Sequence, residues 1–201
     1  MLESPPTIRL PNPEELPDNP EVFENLKRRE NAKIMEGYVL KPNTSHDLPF
    51  KFYAEININN SRFWPLFTAL TDLLPGAVSC IYNSYDQEAS FSPYLDKKYI
   101  LNLLDKFKVE LTQDCNLEFG LIYDIGDELE EIFGSDSKYF KVWSNKEVSF
   151  RAIMDGFSLK EIPDLNFIDE FPKVVEPLTM YNAQAKGTEL VIGELSQYFK
   201  T

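Results

Sequence analysis

One histidine, His46, and two cysteines, Cys80 and Cys115, are all that this 201-residue chain offers of the side chains most used for metal binding and nucleophilic catalysis. A histidine-rich metal site is therefore excluded. Any nucleophile–histidine pair would have to use His46, which lies in the polar run Thr44 to Pro49, where an exposed position is expected. The cysteines form no C-x-x-C pair; both fall in apolar runs and read as small buried thiols rather than as a disulfide. No G-x-G-x-x-G, P-loop, nucleophile elbow or H-E-x-x-H pattern occurs, which removes the motif-based routes to nucleotide, redox and zinc chemistry. No resident cofactor is expected. A run of about 18 apolar residues is also missing, so no membrane span is expected. Residues 1–21 carry prolines and acids where a secretory signal needs a basic start and an apolar run, and the expectation is a cytoplasmic protein.

Positive charge is scarce as well. Twenty Lys and Arg stand against 33 Asp and Glu, a formal charge of −13, which disfavours nucleic-acid backbones and anionic lipid because both need clustered cations. The natural complement is a basic protein; the plain alternative is that the acidity only opposes self-association. Apolar residues make up 43% of the chain, with 15 Phe and 10 Tyr, enough for one packed domain with terminal extensions.

Residues 1–19 hold five prolines and read as an extended arm. Asn19-Pro20 starts a short polar helix with a capping side chain and proline at its first position, so 1–35 is assigned as arm and helix. An α/β core follows over 36–175. Tyr38–Lys41 and Phe50–Ile58 read as strands, the second with Phe52, Ala54 and Ile56 alternating against Tyr53, Glu55 and Asn57. Phe63, Phe67, Leu70 and Leu74 mark a helix, and with Ala77–Tyr82 this makes a βαβ unit with parallel strands. Ile100, Leu103, Leu104, Phe107 and Leu111 mark the next helix. Leu117–Tyr123 and Tyr139–Trp143 read as an antiparallel pair, and a helix after Asn145 ends at Gly156. The fold class expected is α/β (α+β), one domain with a mixed sheet flanked by helices. An irregular apolar segment over 158–175 packs on it. Residues 176–201 read as one amphipathic helix from Pro177 to Phe199, although Gly187 and Gly193 each cost it roughly 1 kcal/mol relative to alanine.

The stretch between the last two strands is the one concentrated feature. Asp124, Asp127, Glu128, Glu130, Glu131 and Asp136 lie there with no Lys or Arg among them up to Asp136, and a short helix is expected over Asp127–Phe133. Phe133, Tyr139, Phe140 and Trp143 border it. Aromatic anchors ringed by acids suit a protein interface, and acidic rims speed encounter with basic partners, so these six acids with Tyr139 and Trp143 are the candidate partner-binding residues. The same acids admit a second reading, a small carboxylate- or metal-dependent hydrolase, in which Asp124, Asp127, Glu128 and Glu131 converge; the spacing lacks the pattern of an EF-hand loop. A third reading is a homodimeric structural protein joined through the C-terminal helix.

With its acidity and its runs KYFKVWSN, Lys138 to Asn145, and FIDEFPKV, Phe167 to Val174, the chain resembles bacterial immunity proteins of toxin–immunity systems in general character over 115–175. That resemblance implies stoichiometric neutralisation of a basic toxin and no catalysis. It carries over no individual residue role.

Overall fold

Alternation of the kind that runs through Phe52 to Asn57 forces one side of a strand into the interior and leaves the other facing out. In the computed structural model, which describes all residues except Met1, His46 and Thr201, these residues form β3, Phe52–Asn57, paired antiparallel with β2, Gly37–Pro42. The expected exposure of His46 thus lies outside the described residues. Upstream are a two-residue strand, β1 (Ile8–Arg9), and a helix, α1 (Pro20–Glu30), whose Asn19 cap accepts a hydrogen bond from the Glu21 amide at 2.9 Å. The arm is docked. Thr7 is fully buried, its hydroxyl donating to the Gln113 carbonyl at 2.5 Å, and β1 pairs with β10 (Val174–Val175).

Helix α2 (Asn60–Leu70) crosses from β3 to β4 (Ala77–Ser84), as the apolar spacing predicts. Two short strands, β5 (Ser90–Phe91) and β6 (Leu95–Asp96), both pair with β4. Next come α3 (Lys97–Leu104), α4 (Lys108–Gln113) and then β7 (Leu117–Ile125), β8 (Glu128–Gly134) and β9 (Phe140–Ser144), followed by α5 (Glu147–Gly156). The main sheet runs β2-β3-β9-β8-β7-β4-β5, and every ladder between its strands is antiparallel. The two strands joined by α2 share a direction, as a crossover requires, but β9, β8 and β7 lie between them. The reason is local: β7, β8 and β9 follow one another through tight turns, which closes antiparallel pairs at little loop entropy and wedges the meander into the gap.

The helix expected over Asp127–Phe133 is instead strand β8. Ile125 pairs with Glu128, leaving Gly126-Asp127 as a two-residue turn with Gly126 at φ +65°, the pattern of a II′ hairpin turn. Leu129, Ile132 and Phe133 stand at helical spacing because Glu130 occupies an inward position where the strand period calls for an apolar residue.

Helices cover one face of the sheet. Phe63 stacks on Phe140 at 4.1 Å and Phe67 meets Phe119 at 4.9 Å, over Ala54, Ile56, Leu121, Ile132 and Val142. Gly134 admits this aromatic layer, since a Cβ there would lie 3.1 Å from the Phe63 ring.

The C-terminal helix is shorter than its spacing predicts. α6 spans Thr188–Phe199, preceded by a single turn at Leu178–Met180 and an irregular link in which Asn182 Oδ1 accepts from the Gln184 amide. Gly187 is extended and stands outside the helix. Val191, Leu195 and Phe199 join the main core, the Phe199 ring 5.5 Å from Tyr82. Of the stripe that a dimer seam would use, Leu178, Leu195 and Phe199 are buried within the domain and Tyr181 is exposed. No helix among the described residues is long and apolar enough to cross a membrane.

Candidate interaction surface

The face of the sheet turned away from the helices is covered at both ends: at the β4 end Ser79, Ile81 and Asn83 are buried, and a small apolar cluster closes the other. There Leu165 and Phe167, from the irregular segment after α5, pack with Val39 and Tyr139. The middle is partly exposed, and strand register fixes its pattern: Lys41, Tyr53, Trp143, Glu131 and Ile122 stand in one cross-strand row, with Glu55, Lys141 and Phe133 in the next. Apart from exposed Lys41, all of these are partly exposed. Tyr53 and Trp143 lie 4.9 Å apart, a cross-strand aromatic pair.

Glu131 sits in this row between Trp143 and Ile122. No ion pair or hydrogen bond holds its carboxylate among the described residues. Burial among its apolar neighbours, and then the charge of Asp124, push its pKa up to about 7. Burial also raises the Tyr53 phenol, reinforced by the charge of Glu55. A carboxylate held in this way is stabilised by an incoming cation, and Trp143 offers an aromatic face for the same group.

The structure divides the eight candidate residues. Asp124, Asp127 and Glu128 are exposed at the end of the β7–β8 hairpin. The hairpin end is fixed by the Asp124 amide donating to Tyr94 Oη at 2.8 Å and by the Leu129 amide donating to the Pro49 carbonyl at 2.8 Å. Glu131 and Trp143 lie on the open face. The other three do not belong to this surface. Glu130 points to the helix side, fully buried; its carboxylate accepts from the Asn145 amide at 3.0 Å and from the Ser144 hydroxyl, fastening the entry to α5. Asp136 is buried in the β8–β9 turn and paired with Lys173 at 2.7 Å. Tyr139 is buried too, its hydroxyl donating to Asp169 at 2.9 Å, and burial with that carboxylate raises its pKa. A carboxylate already held in the fold cannot steer a partner.

The hydrolase reading rests on the same hairpin. Of its four acids, Asp124, Asp127 and Glu128 are exposed at the hairpin end and Glu131 is partly buried on the sheet face. Among the described residues, no group of three or more His, Cys, Asp or Glu side chains is placed to hold a metal ion. Cys80 and Cys115 are free, buried thiols, both pushed up in pKa by burial.

Tyr53, Glu55, Ile122 and Lys141 were outside the sequence candidates. The alternation of β3 already turns Tyr53 and Glu55 away from the core, but only the register of β3 on β9 on β8 sets them beside Trp143 and Glu131. No family model matches the chain, and comparisons with curated proteins and with solved structures give no match.

Proposed function

We propose that this chain is a non-catalytic protein-binding domain. Its docking surface is the open sheet face around Tyr53, Trp143 and Glu131, extended by the acidic hairpin end at Asp124, Asp127 and Glu128. The observation that carries this reading is the Glu131 carboxylate, partly buried between Trp143 and Ile122 with no ion pair among the described residues. An arginine or lysine of a basic partner would meet it, with Tyr53 and Trp143 as the aromatic anchors and the hairpin acids speeding encounter. The most concrete form of the proposal is a bacterial immunity protein that neutralises a basic toxin one-to-one.

The test compares proteins recovered with the tagged full chain from its own cells by wild type and by a Trp143→Ala/Glu131→Lys variant, after both are shown to unfold at similar temperatures. A basic partner enriched on the wild type and depleted at least tenfold on the variant supports the surface. For the immunity form, that partner is encoded next to this chain's gene and is toxic without it. An unchanged set of partners on the variant overturns the assignment.

A further inference from the structure

Between the N-terminal arm, the end of α1 and the segment leading into β2 lies a cavity of about 520 Å³. Leu10, Ile34, Met35 and Ile168 give it an apolar wall, with Leu10 and Met35 about half exposed. Arg29 and Lys33 are the cations that line it. Four of the chain's five arginines, Arg9, Arg28, Arg62 and Arg151, are ion-paired; Arg29 has no ion-pair partner among the described residues. Its Nη1 is shut off from solvent without a hydrogen-bond partner among the described residues, and its other guanidinium nitrogens, also without a partner there, are the ones that reach the cavity. Arginine cannot lose its proton, so this guanidinium keeps a full charge with no anion of the chain held against it. Lys33 is already held by Asp164, so among the described residues Arg29 is the cation left to the cavity.

We infer that this cavity binds an amphiphilic monocarboxylate, with the carboxylate on the Arg29 guanidinium and the apolar chain along Leu10, Ile34, Met35 and Ile168. A planar carboxylate matches the guanidinium fork, and the volume lies in the usual range for small-ligand sites. A phosphate dianion fits less well, because Glu30 also borders the cavity and the apolar wall offers a strongly hydrated ion nothing in return. The site is separate from the sheet face, and its test stands apart from that of the docking surface.

Calorimetric titration of the full chain with decanoate provides the test, with decanol as the neutral control. The expected result is saturable one-to-one binding, weakened at least tenfold by Arg29→Gln and by Leu10→Glu, with decanol at least tenfold weaker on the wild type. Leu10 is half exposed, so its variant keeps the test decisive should Arg29→Gln lower the folding stability. Absence of saturable heat, equal affinity in both variants, or decanol as tight as decanoate overturns the assignment. So does a peptide with an apolar C-terminal residue that binds where decanoate does not, since the occupant would then be a protein terminus.

Discussion

At the scale of single residues, neighbouring glutamates with the same side chain have opposite fates. Glu130 turns inward and is fastened by an amide and a hydroxyl; Glu131 turns outward and is left among Trp143, Ile122 and Phe133. The raised pKa of Glu131 fixes the sign of a pH effect. Between the ordinary carboxylate value of 4.5 and about 7, the folded chain holds a proton that the unfolded chain releases, so stability from this residue is complete below 4.5 and is lost as the pH rises through 7. Glu131→Gln should therefore match the wild type near pH 4 and be more stable by about 1–2 kcal/mol at pH 8, allowing for partial exposure. Urea unfolding at the two pH values measures the difference; equal stabilities at pH 8 would remove the claim that this carboxylate is strained. A cation arriving on Glu131 favours its ionised form, so binding of a basic partner should tighten from pH 6 to pH 8 in the wild type and stay flat in Glu131→Gln.

Among the elements, the β7–β8 hairpin bears the functional reading. Its tight turn holds Asp127 and the adjoining Glu128 out in solvent, with no ion pair to either among the described residues. Replacing both by lysine changes the local charge by four units without touching the core. Association with a basic partner should slow on the order of tenfold at low salt and lose much of its salt dependence, while dissociation changes little. Stopped-flow rates at two ionic strengths check this. The hairpin also depends on Gly120, where a Cβ would stand 2.4 Å from the Ile132 carbonyl oxygen. Gly120→Ala should cost about 1–3 kcal/mol of folding stability, because the close approach of the two backbones leaves no room to relax. Denaturant midpoints for wild type and variant would show it, and an unchanged midpoint would count against that approach. The turn itself was legible in the sequence: Gly-Asp between two alternating runs is a hairpin signal. The inward Glu130 hid it, by breaking the period of two and leaving a helix-like spacing in its place.

For the whole molecule, one layer of helices lies on one face of an antiparallel sheet, and α6 is part of that layer. Removing it takes Val191, Leu195 and Phe199 out of the core, a loss of roughly 5–9 kcal/mol of burial against a typical total stability of about 5–15. Deleting Thr188 onward should accordingly abolish the cooperative thermal transition rather than release a folded monomer, with circular dichroism as the measure. A stable truncated domain would return α6 to the role of a separable pairing helix.

Several features were determined by the sequence alone. Composition and period decided an α+β domain with a large aromatic core, the Asn19-Pro20 helix start, the free buried cysteines and the outward positions of Tyr53 and Glu55, since each depends on residues close together in the chain. Tertiary structure decided the rest. Which strands neighbour β3 and β4, and therefore that Tyr53 meets Trp143, depends on a register between segments some ninety residues apart, for which no local pattern exists. The same long-range packing separates the acids of the 124–136 stretch. Those with a partner, at Glu130 and Asp136, are fastened into the fold, and those without one among the described residues stay exposed or partly exposed.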